Sequence, residues 1–396
     1  MHVLFTLLGR SPRAEGGYRK TRYTYPDGTR STPTTVLGWD LIGRIHPSHV
    51  IVMGTAGSMW DFLLDSVPNA RSDEGPWLNL IEATERKQVE PAHLSAIEPA
   101  LSQALETQIR LALIPYGRNE EEQLSILDVM AKHVPRKASI SLDVSHGFRH
   151  LPMLVLFGAL YLEAVIEAAI RHVYYGFYDP DTQEAPVFDL AGLLRLARWT
   201  QALAAFDADG DYGRFATLLE ADGLPADKIG VLRKAAHAEK VFNHELASQS
   251  LRLFLPVLGQ DLSGVARLFA PALAERFAWA RNTDPASRLA ALARERLSRE
   301  DWNRATALAV TAYLAGIAEP GERIGDYETL EAIEDECRKG ERGDEALRAD
   351  YERLKKIRNA LAHGSVPKDE EIRRIVNGPE RLAKTLHALF EKLLSQ

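Results

Sequence analysis

The first half of the chain reads as short apolar runs separated by amphipathic stretches. Val3–Leu8, His49–Met53, Arg110–Ile114, Ser139–Val144 and Val173–Phe177 have the length and texture of buried strands. Helical spacing falls on Val36–Ile45, Trp60–Leu64, Ala92–Thr107, Glu120–His133 and Leu151–Arg171. Between Tyr18 and Thr32, aromatic and polar residues alternate around Asp27-Gly28, a hairpin signal. Strands alternating with helices predict a mostly parallel sheet covered on both faces. Ligands of such sheets sit at the carboxyl ends of the strands, near the switch in strand order.

From about residue 190 the strand signals stop, and Ala, Leu, Arg and Glu dominate at helical spacing. Helices are predicted over 191–206, 211–221, 225–238, 240–256, 262–281, 286–296, 301–318, 326–339, 344–363 and 379–394. The pattern therefore predicts an α/β domain over 1–190 and a helical region over 191–396. Two domains also suit a length of 396 residues, which exceeds what one core usually holds.

Composition narrows the picture. A net charge of −7 argues against a general nucleic-acid coat and leaves any RNA contact to a local basic patch. The single cysteine, Cys337, excludes a disulfide framework and a multi-cysteine metal site, and suits a reducing cytoplasm. The N-terminal apolar run reads as a strand and not as a leader, since it lacks a charged start and a small-residue cleavage pattern. The stretch Met153 to Ile170 carries Glu163 and Glu167, which favours a core helix over a membrane span.

Three strand-to-loop junctions carry candidate chemistry. They are Leu8-Gly9-Arg10, then Gly54-Thr55-Ala56-Gly57-Ser58, and then Asp143-Val144-Ser145-His146-Gly147-Phe148-Arg149. Glycines let backbone amides approach phosphate oxygens, and helix N-termini favour anions. Arg149 adds a bidentate donor, and His146 can bond phosphate or ribose. Taken singly, each glycine is also what a tight turn requires. The third loop is denser, with Asp, Ser, His and Arg set between a buried strand and a buried helix. None of the spacings is a Walker loop, and no GxGxxG follows the first strand, so P-loop hydrolysis and dinucleotide redox chemistry are disfavoured.

The run Asp143 to Pro152 resembles the signature loop of the DxTHG group of CRISPR-associated proteins, with Ser145 where Thr is usual. The first strand ending in Leu-Gly, the Tyr-rich segment around Tyr23, Met53-Gly54-Thr55 followed by Trp60, and Ile114 to Glu122 match the same group. The resemblance spans residues 3 to 178. It implies a Rossmann-like CARF domain that dimerises and binds a cyclic oligoadenylate, tetra-adenylate being favoured and hexa-adenylate possible. The ligand contacts it implies are Gly9, Arg10, Thr55, Ala56, Gly57, Ser58, Trp60, Ser145, His146, Gly147, Phe148 and Arg149.

Near the C-terminus, Arg358-Asn359-Ala360-Leu361-Ala362-His363-Gly364 holds an Arg-x4-His pattern. On a helical wheel, Tyr351, Leu354, Ile357 and Leu361 lie within about 80° of Leu347, and Arg358 lies at about 20°, inside that apolar stripe. A guanidinium in an apolar seam is costly unless it meets an anion or a paired acid on another helix. His363 lies about 140° round from Arg358, so one copy does not bring both side chains into one cleft easily, whereas a two-fold pair of helices can. A helix-end histidine favoured by the macrodipole is the other reading of His363.

This stretch resembles the catalytic motif of HEPN domains, with a core expected at about 300–396. The resemblance implies an all-α, metal-independent ribonuclease with a composite site in a homodimer or higher oligomer. It casts His363 in proton transfer, Arg358 in stabilising the phosphorane, and Asn359 in orienting either. Single-stranded RNA is then the substrate, the 2′-hydroxyl the nucleophile, and the sensor domain the switch. Two alternatives stay open: a ligand-binding regulator without nuclease activity, and a ring nuclease using Ser58, His146 and Arg149.

Overall fold

Strand β1 (His2–Leu8) shows why the sheet is covered on both sides. Val3, Phe5 and Leu7 point to one face, Leu4, Thr6 and Leu8 to the other, and all six are buried. The computed structural model describes residues 1–394 except 12, 15, 16, 64–66, 68–73, 183, 261 and 365. The chain divides into two units, Met1–Leu194 and Arg195–Gln396.

In the first unit, β1 is joined by β2 (His49–Gly54), β3 (Gln108–Leu113), β4 (Ser139–Asp143), β5 (Ala169–Gly176) and β6 (Val187–Asp189) in the order β3-β2-β1-β4-β5-β6. The first five run parallel and β6 pairs antiparallel with β5, so the sheet is mixed. Strand order reverses between β1 and β4, which is the switch point of a doubly wound sheet. Helices α1 (Leu37–Ile45), α2 (Glu74–Glu85), α3 (Pro91–Ser95) and α4 (Glu98–Ala104) cover the Leu4 face through Leu37, Leu41, Trp77 and Leu101. Helices α5 (Glu120–Lys132) and α6 (His150–Ile166) cover the other face through Ile126, Met130, Val155 and Leu162.

Several expected elements need correction. The Ala92–Thr107 stretch is two helices, because Pro99 sits in the first turn of α4 and starts a new helix. The Leu151–Arg171 helix stops at Ile166, where Glu167 turns left-handed (φ 57°), and residues from Ala169 are already strand. The Asp27-Gly28 turn exists, with Gly28 at φ 80° and its amide donating to Tyr25 O, but its arms are isolated bridges. Thr24 there bridges Pro186 as well as Arg30. Trp60–Phe62 is a single 3-10 turn, and Leu64 lies outside the described residues.

Helix α6 is amphipathic in an unusual sense. Its inner face is core, yet Met153, Phe157, Tyr161 and Val165, spaced at i, i+4, are exposed on the other face, Phe157 to 70%.

The second unit is helical. It holds α7 (Ala191–Asp209, from its fifth residue on), α8 (Phe215–Ala221), α9 (Ala226–Lys240), α10 (His244–Leu258), α11 (Ala266–Arg276), α12 (Pro285–Ser298), α13 (Trp302–Gly316), α14 (Tyr327–Lys339), α15 (Glu345–His363), α16 (Glu370–Val376) and α17 (Pro379–Leu393). One core runs through it, with Trp199 stacked on Phe215 and Tyr313 stacked on Tyr351. The expected 262–281 helix is α11 followed by a 3-10 turn at Ala278–Arg281. The short α16 has only Ile372, Ile375 and Val376 as apolar residues and starts on Asp369, which caps the Glu371 and Ile372 amides.

Candidate functional site

The loops after β1, β2, β3 and β4 leave the same edge of the sheet, because the strands are parallel. Gly9 is buried against the third loop: a Cβ on it would lie 2.5 Å from the Gly147 amide nitrogen and 3.0 Å from its Cα. Gly147 itself has φ 98°, a backbone state that side chains disfavour. These two glycines bring Arg10 and the Phe148–Arg149 segment to one place.

Much of the polar equipment in these loops is spent on the loops themselves. Ser58 Oγ donates to Leu8 O (2.7 Å) and accepts from Thr55 N (2.9 Å), while Trp60 Nε1 donates to Thr55 O (2.8 Å). Thr55, Ser58 and Trp60 are all buried. Together these bonds staple the β1 and β2 loops to each other. Ser145 is engaged likewise: its hydroxyl donates to Asp143 Oδ1 (2.5 Å) and accepts from Gly176 N (2.8 Å), tying β4 to β5. The buried Asp143 carboxylate also accepts from Thr6 Oγ1 (2.7 Å). Burial pushes the Tyr23 phenol far up, and the Asp143 charge adds to it. His146 turns inward, its Nε2 buried and without a hydrogen-bond partner. Burial holds this imidazole below its ordinary pKa, against a smaller opposing pull from Asp143.

What faces outward is a different set. Arg10, Phe148, Arg149 and His150 are exposed, and Ala56 and Gly57 are half-buried. Tyr116, on the loop after β3, lies over Gly57, where a Cβ would meet its Oη at 2.8 Å. Its ring is 5.9 Å from that of Phe148, which in turn stacks on His150 at 6.0 Å. Arg118 stands over the Tyr116 ring at 4.5 Å, and the His150 Nε2 meets Tyr116 O at 2.7 Å. Tyr116, Arg118 and His150 were missing from the expected contacts, although parallel topology puts the loop after β3 on this edge. The first turn of α6 has no side-chain cap, but Pro152 carries no N–H there and the Leu151 amide already donates to Phe148 O. The edge thus offers arginines and ring faces, the complement of a polyanion carrying aromatic bases.

In the second unit, α15 starts on Asp344, whose side chain accepts from the Ala346 amide, and ends at Gly364 in the left-handed region (φ 57°). Tyr351, Leu354, Ile357 and Ala360 form its buried seam. Arg353 pairs with Glu371, Lys355 with Glu334, and Lys356 with Asp369. Arg358, half-buried beside that seam, has no hydrogen bond or ion pair among the described residues. The paired-acid explanation for it thus finds no acid among the described residues. Its field acts on Tyr351, whose phenol burial pushes up and Arg358 pulls back. Asn359 is half-buried, and His363 is exposed at the last turn. Within one chain the motif is an arginine at the seam and a histidine at the helix end, on different sides of α15.

No protein-family model matches the chain. It is 24% identical over 199 residues to the CRISPR-associated protein MJ1674 of Methanocaldococcus jannaschii, covering 46% of this chain and 31% of that protein. The chain therefore spans about a third of that relative's length. Among solved structures, Enterococcus italicus Csm6 bound to cyclic hexa-2′-fluoro-hexa-dAMP aligns with 100% of this chain and 95% of its own, at 12% identity and a TM-score of 0.38. No helix among the described residues is long and apolar enough to cross a membrane.

Proposed function

We propose that the chain is a CRISPR-associated ribonuclease of the CARF–HEPN type, switched on by a cyclic oligoadenylate bound at the sheet edge. The observation that carries the reading is Arg358: a half-buried arginine beside the apolar seam of α15 that has no acid among the described residues, while its neighbours Arg353, Lys355 and Lys356 each have one. An RNA phosphate is the anion such a group is suited to meet. The sheet edge supports the other half, since Arg10, Arg149 and the Tyr116–Phe148 rings suit phosphates and adenines. The match to a CRISPR-associated protein supports the setting.

The chemistry follows from the residue types. The RNA 2′-oxygen attacks the adjacent phosphorus and the bond to the 5′-oxygen breaks. His363 takes or returns the proton, and Arg358 stabilises the charge that builds on the phosphorane. Because the two side chains lie about 140° apart on one helix, the working groove pairs α15 with its copy in a second chain. The exposed stripe of α6 gives the sensor unit a surface on which two copies can meet.

The test is RNA cleavage with and without cyclic tetra- or hexa-adenylate. The expected products carry a 2′,3′-cyclic phosphate and a 5′-hydroxyl, and 2′-deoxy substitution at the cut site blocks the reaction. Arg358→Ala and His363→Ala are each expected to abolish cutting while oligoadenylate affinity is unchanged. Cleavage that survives both substitutions overturns the assignment.

A further inference from the structure

A cavity of about 680 Å³ opens in the helical unit between the start of α10, α12, α13 and the turn before α14. That is the size of ligand pockets, which run from roughly 300 to 1,000 Å³. Leu289, Leu308 and Leu330 supply apolar walls. Two polar side chains that line it are left unsatisfied. Both ring nitrogens of His244 are buried without a hydrogen-bond partner, and Arg288, only 4% exposed, has an unpartnered Nε. Buried polar groups are satisfied as a rule, so these are groups a guest of matching chemistry would engage.

The electrostatics select the guest. Arg288 is already neutralised by Glu245. Burial, followed by Arg296 and Arg288, holds the His244 imidazole down to about 4, so near neutral pH it offers one donor and one acceptor. A phosphate would stand among the carboxylates of Glu245, Glu322 and Asp326, which line the same cavity, and is disfavoured there. A neutral heteroaromatic ring carries donors and acceptors on its edge and can pair with whichever His244 nitrogen it faces. Phe242 presents a half-exposed ring at the rim, 5.7 Å from His244 and edge-on to it. Its backbone sits at φ 61°, which a bulky residue adopts only at a cost.

We propose that this cavity binds a nucleobase, its ring against Phe242 and its edge hydrogen-bonded to His244. The base can belong to a free nucleotide or to single-stranded RNA, and the proposal does not depend on the chemistry assigned to α15.

Calorimetry of the full chain with adenosine, guanosine, cytidine and uridine 5′-monophosphates, and then with a 2′-O-methyl RNA hexamer, tests it. Binding of a monophosphate identifies a nucleotide site, and binding of the hexamer alone identifies a base of RNA. In either case His244→Leu and Phe242→Ala are each expected to weaken binding about tenfold or more, the loss of a buried hydrogen bond or a stacking face. Phe242→Gly relieves the left-handed backbone, so its melting temperature should hold or rise while binding is lost, which separates recognition from unfolding. No binding at millimolar concentrations, or binding indifferent to both His244→Leu and Phe242→Ala, overturns the proposal.

Discussion

Gly9 and Gly147 meet backbone to backbone, the first in the loop after β1 and the second in the loop after β4, so closely that neither loop can move without the other. A Cβ on Gly9 would have to push main chain, since no flexible side chain stands in its way. Gly9→Ala should therefore destabilise the first unit by about 1–3 kcal/mol and displace the Phe148–Arg149 segment. Urea unfolding and oligoadenylate titration measure the two effects. A variant with unchanged stability and affinity would show that the loops are not coupled in this way.

The outward and inward residues of the sheet edge should separate cleanly on mutation. Arg10→Ala, Arg149→Ala and Arg118→Ala are expected to cost about tenfold or more in oligoadenylate affinity each, the worth of a charge-assisted hydrogen bond, with stability changed by no more than about 0.5 kcal/mol. Ser145→Ala should do the reverse, costing about 1–3 kcal/mol of stability because the Gly176 amide loses its acceptor. Ser145→Thr keeps the hydroxyl and should largely restore it. Equal loss of affinity and stability across both groups would argue against the division.

Acid should destabilise the helical unit through His244. Its imidazole titrates near 6.5 when unfolded and at about 4 when folded. Between those values the unfolded chain binds the extra proton, so stability falls as pH drops from about 6.5 and stops falling, on this account, below about 4. The contribution amounts to about 3 kcal/mol. His146, also held down by burial, acts with the same sign on the first unit. His244→Leu should flatten the pH dependence of unfolding of its own unit across this window, as followed by tryptophan fluorescence. An unaltered slope would place the titration elsewhere.

The exposed i, i+4 stripe on α6 predicts an association surface. Phe157→Glu puts a carboxylate in the middle of Met153, Tyr161 and Val165, and should shift the chain toward monomer in analytical ultracentrifugation. Oligoadenylate-stimulated cleavage should fall with it. A dimer that persists with the same affinity would assign the stripe another role.

The sheet was legible in the pattern because its strands are buried on both faces and read as unbroken apolar runs, as in Val3–Leu8 and His49–Gly54. Where one residue switches the backbone, the pattern was silent. Nothing in periodicity marks Glu167 as left-handed, and so helix was extended into what is strand β5. At the sheet edge, spacing located the loops but could not say which way a side chain turns. Ser58, Ser145 and His146 looked like ligand groups, and only the hydrogen bonds of the folded loops show that the two serines are engaged and that the histidine points inward. Tyr116 and Phe148 are distant in sequence, and their ring contact exists only because β3 and β4 end on the same side. The apolar seam of α15 followed directly from the wheel, whereas the absence of an acid beside Arg358 among the described residues needed the neighbouring helices.

The Asp143 carboxylate gathers the Thr6 hydroxyl and the Ser145 hydroxyl and amide into one buried knot. The most recognisable letters of this loop are thereby held in place by architecture. Arg10, Phe148 and Arg149 stand clear of the knot and can be exchanged without disturbing it. Substitutions at the rim therefore change what this edge presents to a ligand, while the knot keeps the loop where it is.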